Sequence, residues 1–106
     1  MKPIVDEIAR KLRDALSDSV DDFEGLYVFG SQIRGDATDT SDLDIVVLFG
    51  QEYSWMPKKY HNILFDMGIE YFGIMDLDIL PYTREELERN YSFHDEVVNK
   101  GVFYGA

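Results

Sequence analysis

The sequence predicts an α+β fold in which a small mixed β-sheet carries helices packed on one face. Three observations lead to this prediction. Short apolar runs indicate buried strands, a longer N-terminal segment has apolar residues at helical spacing, and the segments follow the order helix, strand, loop, strand, helix, strand, helix, helix. Because each helix must bury its apolar stripe against another element, one layer of helices on one sheet is expected.

The predicted helices follow from apolar periodicity and from signals at their ends. Apolar residues recur at helical spacing after Pro3, a residue that suits the first helical turn. Thr83 and Glu86 have the spacing of a capping box, and Gly101 is typical of a C-terminal stop. We expect helices over residues 3–17, 57 to about 67, 84–90 and 92–99, with one further helical turn after residue 31.

The predicted strands are apolar runs bounded by turn residues. Tyr27, Val28 and Phe29 belong to a run that stops at Gly30, which favours a strand buried on both faces. The third run is closed by Pro81, which lacks the N–H group that a strand interior uses. We expect strands over residues 25–29, 43–49 and 74–80, and a short edge segment over residues 102–104.

The connector over residues 50–56 is apolar for a loop. It contains Tyr53, Trp55 and Met56, which could cover the core or line a pocket. Because the burial of large apolar side chains is favourable, we expect them to cover the core.

Length and composition restrict the class of protein. The chain has 106 residues, of which 45% are hydrophobic and 14% aromatic, and it has no cysteine. These values are typical of a globular chain without disulfides. No apolar run reaches the roughly 18 residues that a membrane span needs, and charges interrupt the N-terminal segment where a signal peptide would be apolar. We therefore expect a single domain over residues 1–106, soluble and cytoplasmic, without a membrane partner.

The chain is strongly acidic. It has 21 acidic and 10 basic residues, for a net charge of −11. Because nucleic-acid binding depends on phosphate neutralisation by Lys and Arg, free nucleic acid is not an expected partner. The acidity has three interpretations, which are solubility, a carboxylate cluster that binds metal, and a surface for a basic partner protein. The sequence leaves open whether the protein forms a homo-oligomer.

Asp42 and Asp44 lie at the start of the second predicted strand. Side chains on a strand alternate between faces, so these carboxylates point the same way with Cα atoms about 6.5–7 Å apart. Such a pair can share one or two divalent cations, and Mg²⁺ prefers oxygen ligands. Two ions about 3.5–4 Å apart can stabilise both the attacking and the leaving oxygen of a phosphoryl or nucleotidyl transfer. The pair therefore predicts magnesium-dependent chemistry on a phosphate.

Gly30 and Ser31 follow the first predicted strand directly. Glycine lets the backbone approach a phosphate closely, and the Ser31 hydroxyl and amide offer hydrogen-bond donors. Arg34 could add a fork of donors to the same phosphates. It could equally form a salt bridge with Asp36 or Asp39, and the sequence leaves this choice open.

Asp76 and Asp78 share a face of the third predicted strand. The segment is otherwise apolar enough to be central, and buried acids without a partner are unfavourable. If this strand lies beside the second one, an aspartate from it could complete a site of three carboxylates. It would serve as a metal ligand, or as the base that takes a proton from an attacking hydroxyl.

These residues resemble the signature of minimal nucleotidyltransferases of the DNA polymerase β-like superfamily. Residues 30–37 read Gly-Ser-Gln-Ile-Arg-Gly-Asp-Ala, which is similar to the family's GSxxRGxA pattern. Residues 41–44 read Ser-Asp-Leu-Asp, which is similar to its SDxD pattern. Residues 78–86 resemble the strand of the third carboxylate with the helix after it, and residues 96–104 resemble the closing helix and strand. The resemblance implies the nucleotidyltransferase fold.

The resemblance also implies a reaction. A nucleoside monophosphate, with ATP as the expected donor, would pass to an acceptor hydroxyl, and pyrophosphate would leave. Nucleotide binding is implied for Gly30, Ser31 and Arg34. Catalysis and Mg²⁺ binding are implied for Asp42, Asp44 and Asp78.

One residue departs from the family pattern. Pro81 follows the third strand where the family more often has an ordinary β-former, so the strand could be shortened. This leaves the choice between Asp76 and Asp78 as the third carboxylate open. We prefer Asp78 because of its spacing to Thr83.

Relatives of this size often act with a small helical partner protein of HEPN type, which some of them adenylylate as antitoxins. The resemblance therefore implies a HEPN-type partner that supplies the acceptor. The sequence is also compatible with two other functions. The chain could neutralise a partner by contact alone, or it could modify a small molecule, although it offers little room for an acceptor pocket.

Overall fold

The strands are β1 (Phe23–Phe29), β2 (Leu43–Phe49), β3 (Leu77–Tyr82) and β4 (Val102–Gly105). They form one mixed sheet of order β3-β2-β1-β4. A computed structural model describes residues 1–38 and 40–106. The central pair is antiparallel, β4 is antiparallel to β1, and β3 is parallel to β2. β3 and β4 are therefore the two edges.

One helix precedes the sheet, and the others lie in the three connections between consecutive strands. They are α1 (Pro3–Ser19), α2 (Ser31–Arg34), α3 (Lys58–Glu70), α4 (Arg84–Glu88) and α5 (Tyr91–His94), with a π-helix over Asp95–Asn99 directly after α5. No helix among the described residues is both long and apolar enough to cross a membrane.

The main core lies between one face of the sheet and the pair α1 and α3. Alternate residues of β2, namely Leu43, Ile45, Val47 and Phe49, point to this face. From α1 the residues at helical spacing are buried, among them Val5, Ile8, Leu12 and Leu16. The predicted α+β fold with helices on a small mixed sheet is confirmed.

A smaller apolar cluster lies on the opposite face. Val46 and Leu48 of β2 contact it together with Phe29 of β1. The cover comes from Leu87 of α4 and Val97 of the π-helix. The C-terminal helices thus hide part of this face and leave its other end open.

Several elements agree with the sequence-based boundaries. β2 covers the predicted residues 43–49, and β4 pairs at the sheet edge as expected. The capping box is complete, because Glu86 N donates to Thr83 Oγ1 at 3.1 Å and Thr83 N donates to Glu86 Oε1 at 2.9 Å. Tyr53 and Met56 pack against the core.

Other predictions were wrong at specific residues. Strand β3 begins at Leu77 instead of residue 74, because a turn precedes it in which Ile74 N donates to Tyr71 O at 2.9 Å. The strand also continues through Pro81, which pairs with Val47; an edge strand tolerates a proline. Trp55 is 89% exposed instead of covering the core. The helix expected over residues 92–99 is divided into α5 and the π-helix.

Candidate active site

The candidate site lies where β1 ends and where β2 and β3 begin. Asp44 of β2 is paired with Phe29 of β1 on one side and with Asp78 of β3 on the other. Residues in register on neighbouring strands point to the same face, so the carboxylates of Asp44 and Asp78 lie next to each other. This face is the open end of the one that carries the C-terminal helices, because Val46 follows Asp44 on it.

The electrostatics at Asp44 are unfavourable for a carboxylate. Burial raises the pKa of Asp44 above its ordinary value of 3.8, and the negative charges of Asp78 and Asp42 raise it further. The Arg34 guanidinium acts in the opposite direction. A half-buried acid that faces a second acid is a favourable position for a cation.

Gly30 makes room for the Asp44 carboxylate. Its φ of 82° lies in the left-handed region, which favours glycine. A Cβ atom added at this position would overlap Asp44 Oδ2 and would lie 3.3 Å from Asp44 Cγ. The turn after β1 therefore brings bare backbone against the carboxylate, and no other residue type fits there without displacement.

Ser31 is the first residue of α2, the single helical turn that follows Gly30. The turn is closed by hydrogen bonds from Ile33 N and Arg34 N to Gly30 O, both 3.0 Å long. The half-buried Ser31 is thus presented directly beside Gly30 at the edge of the carboxylate pair. Its hydroxyl and backbone N–H are the donors available at this point.

The loop that carries the motif is tied back to the sheet on either side of the carboxylates. The buried side chain of Gln32 donates through Nε2 to Ser41 O at 3.2 Å. Leu43 N donates to Asp76 O at 2.8 Å. Asp42 lies between these two anchors, immediately before β2. Its position is therefore fixed although its side chain is exposed.

Arg34 contacts two carboxylates. It forms an ion pair with Glu96 of the π-helix, and its Nε atom lies 3.4 Å from Asp36 Oδ1. The hydrogen bond with Glu96 raises the pKa of Arg34 further above its ordinary value. The predicted salt bridge to Asp36 is therefore present, whereas Asp39 lies outside the described residues.

Glu96 is a partner of the candidate site residue Arg34 that sequence analysis missed. It lies 62 residues after Arg34, in a segment whose sequence gives only a helical pattern. No local motif links the two residues, because their contact depends on how the π-helix packs behind β1. The ion pair between Arg34 and Glu96 could therefore not be predicted from the sequence.

The two candidate third carboxylates have different positions. Asp78 lies within β3, opposite Asp44. Asp76 precedes β3, and its backbone oxygen accepts the hydrogen bond from β2. Both side chains are exposed. The structure brings Asp44 and Asp78 together, and it leaves Asp76 two positions away along the same edge.

The carboxylates at this site have the right chemistry for a hard cation, but those that the structure describes do not form a complete metal site. Within residues 1–38 and 40–106, no group of three or more His, Cys, Asp or Glu side chains is arranged to hold a metal ion. The close pair is Asp44 with Asp78, and Asp42 lies near enough to raise the pKa of Asp44. Carboxylate oxygens without nitrogen or sulfur ligands are the donor chemistry that Mg²⁺ prefers. A cation shared with substrate phosphates would relieve the repulsion in this pair.

Three solved structures resemble the fold. A candidate nucleotidyltransferase from Sulfolobus solfataricus has a TM-score of 0.56 and 24% identity over 92% of this chain and 77% of that one. A toxin-antitoxin complex with AMP-PNP gives 0.63 and 21%, over 92% and 73%. The complex of tri-AMPylated Shewanella oneidensis HEPN toxin with MNT antitoxin gives 0.59 and 18%, over 96% and 73%. These likenesses show a shared fold.

Sequence comparison places the chain in a family. No curated protein sequence matches it. The family described as Polymerase beta, Nucleotidyltransferase matches residues 10–103, which include β1 to β3, the Gly30-Ser31 turn and all of the candidate carboxylates. The chain therefore belongs to the polymerase β nucleotidyltransferase family.

Proposed function

We propose that this protein is an Mg²⁺-dependent nucleotidyltransferase that moves AMP from ATP to a hydroxyl group of a partner protein. The observation that carries the proposal is the register of Asp44 with Asp78, directly against the backbone of Gly30. A carboxylate pair beside a glycine turn is suited to hold phosphates and a cation together. Membership of the nucleotidyltransferase family supports the same reaction class.

The residues have separate roles in this proposal. Gly30 and Ser31 hold the triphosphate through the backbone and the hydroxyl, and Arg34 adds positive charge at the edge of the site. Asp42, Asp44 and Asp78 would hold Mg²⁺, which when bound neutralises charge on the phosphates. Asp78 also accepts the proton of the acceptor hydroxyl.

The reaction is an in-line displacement. The acceptor oxygen forms a bond to the α-phosphorus, and the bond from that phosphorus to the bridging oxygen of the β-phosphate breaks. Pyrophosphate leaves with the electron pair, while the proton of the hydroxyl passes to Asp78. The product is a phosphodiester between AMP and the acceptor.

The proposed partner is a small helical protein of HEPN type. One structure with this fold contains a tri-AMPylated HEPN toxin bound to an MNT antitoxin, and another toxin-antitoxin complex contains AMP-PNP. These are properties of those proteins, and they support the proposal for this one. The open end of the sheet face beside Asp44 leaves room for an acceptor from outside the chain.

A second candidate function is neutralisation of the partner by contact alone. It is favoured by the incomplete carboxylate cluster among the described residues and by the ion pairs that already engage Arg34. In that case the motif would bind nucleotide or metal without transfer. The partner would be inhibited in the complex but would keep its unmodified mass.

Asp42→Asn tests the proposal. ATP labelled at the α-phosphate should label the HEPN-type partner in the presence of Mg²⁺, and removal of the metal with EDTA should stop the labelling. The variant removes one ligand charge and should reduce labelling at least about a hundredfold. Asp18→Asn, an exposed acid at the far end of α1, is the matched control and should label normally. Persistent labelling by Asp42→Asn would refute the assigned role.

A further inference from the structure

Helix α3 has a second apolar face that is turned to solvent. Tyr60 and Met67 are buried on the first face. On the other side Phe65 is 68%, Ile69 61% and Phe72, just after the helix, 85% exposed. Their spacing of four and three residues places them in one line along the surface. We call Phe65, Ile69 and Phe72 the apolar stripe.

A groove connects the apolar stripe to the candidate active site. The groove has a volume of about 510 Å³ and is bounded on one side by Leu64 and Gly68 of α3. On the other side it follows the start of β3, including Asp78. Gly68 lies three residues after Phe65 and directly before Ile69, so the groove borders the stripe at this residue. Asp44 and Asp78 point to the face of the sheet opposite α3, but β3 is an edge strand. A chain that rests on the stripe can therefore reach the carboxylate pair along the groove and around this edge.

Gly68 keeps the groove open. A Cβ atom added there would have no atom within 4 Å, so the absence of a side chain leaves free space above the helix. Glycine in the middle of a helix is unfavourable by about 1 kcal/mol relative to Ala. Its φ is not positive, so the helix itself does not require glycine here.

The charges around the stripe are mainly negative at the end near the site. Asp66 flanks Ile69 on α3, and Asp76 lies in the wall of the groove, with both side chains exposed. The whole chain has a net charge of −11. A partner segment with apolar side chains and basic neighbours complements this surface. A second copy of the chain would bring the same negative charge and would be repelled.

We propose that the apolar stripe and the groove beside β3 are the docking surface for the acceptor protein. The segment that docks is apolar with basic flanks, and it delivers the acceptor hydroxyl past Gly68 to Asp78. This inference rests on the proposed function for the identity of the partner, which is the HEPN-type acceptor. It assigns to α3 the substrate recognition that the carboxylate site lacks.

Two variants test the surface by different means. Phe72→Ser removes an anchor, and Gly68→Gln fills the groove with a residue that helices accept better than glycine. Trp55→Ser is the matched control, because Trp55 is an equally exposed aromatic residue before the N-terminus of α3, at the end away from Asp78. Affinity for the purified HEPN-type protein is measured by calorimetry without nucleotide, and AMP labelling is measured separately.

The expected result is a Kd at least about tenfold weaker for Phe72→Ser and for Gly68→Gln, with wild-type affinity for Trp55→Ser. Circular dichroism should show that all variants keep their helices. Wild-type affinity of both Phe72→Ser and Gly68→Gln would overturn the docking surface. So would a wild-type protein that does not bind the partner or that self-associates through the stripe. If binding depends on the stripe but no AMP is transferred, the docking surface stands and the proposed transferase activity fails.

Discussion

At the scale of single residues, Asp44 is the centre of the candidate site. It is half-buried, it faces Asp78, and the backbone of Gly30 lies against its carboxylate. A residue chosen for stability alone would not carry a charge here, because burial and the neighbouring acids both raise its pKa. Such unfavourable positions are common at functional sites.

Asp44→Asn should therefore raise the Tm of the metal-free protein at neutral pH. The substitution keeps the shape of the side chain and removes a charge that burial and Asp78 disfavour. Asp42→Asn is the control and should shift the Tm less, since Asp42 is exposed. Differential scanning calorimetry in EDTA measures both. Added Mg²⁺ should stabilise the wild type more than Asp44→Asn, and a Tm lowered by this variant in EDTA would contradict our description of the site.

The candidate motif could be recognised in the sequence because it is local. Gly30, Asp42 and Asp44 lie within one strand-loop-strand unit, and the alternation of side chains along β2 already places the two acids on one face. The pairing of Asp44 with Asp78 was only an expectation, because nothing local decides which strands become neighbours. The contact of Arg34 with Glu96 was not predictable for the same reason.

At the scale of elements, the ends of helices and strands could be predicted where local sequence signals determine them. The capping box of α4 and the apolar run of β2 are examples. The start of β3 depends instead on Tyr71, which is buried and donates through its hydroxyl to Glu7 of α1 at 2.8 Å. This contact holds the chain in a turn after α3, so the strand begins later than its apolar residues suggest.

Gly101 allows the π-helix to pack closely against β1, because it has no side chain. A Cβ atom at this position would overlap Val97 O and would lie 2.8 Å from Val28 O, both of them backbone atoms that cannot move aside cheaply. Gly101→Ala should therefore lower the free energy of unfolding by about 1–3 kcal/mol. Urea unfolding followed by circular dichroism measures the change.

Gly68→Ala is the matched control for that substitution. Gly68 lies in α3 with open space above it, so the added methyl group meets nothing. It should raise the free energy of unfolding by about 0.5–1 kcal/mol through helix propensity. Equal effects of the two substitutions would show that the packing described at Gly101 is wrong.

At the scale of the whole molecule, the two faces of the sheet differ in what packs against them. One face is filled by α1 and α3 and holds the main core. The other is only partly covered by the C-terminal helices, and the carboxylate pair lies at its open end. The main core and the candidate site are thus on opposite sides of β2 at its start, where Asp44 lies between the core residues Leu43 and Ile45.

The outer face of α3 could not be predicted from the sequence. Tyr60 and Met67 have the helical spacing of a buried face, but a second apolar face on the same helix looks like more core in the sequence. Only the fold shows that Phe65 and Phe72 have no element above them among the described residues. The sequence therefore indicates a candidate chemistry, whereas the exposed apolar stripe on α3 is visible only in the structure.

The most direct measurement compares Asp78→Asn with Asp76→Asn in AMP transfer to the HEPN-type partner. The two acids are two residues apart at one strand, yet only Asp78 is paired with Asp44. Asp78→Asn should reduce the transfer rate at least about a hundredfold, the usual effect of removing a general base, whereas Asp76→Asn should keep most of it. A larger loss from Asp76→Asn, or equal rates for the two variants, would contradict the assignment of Asp44 and Asp78 as the catalytic pair.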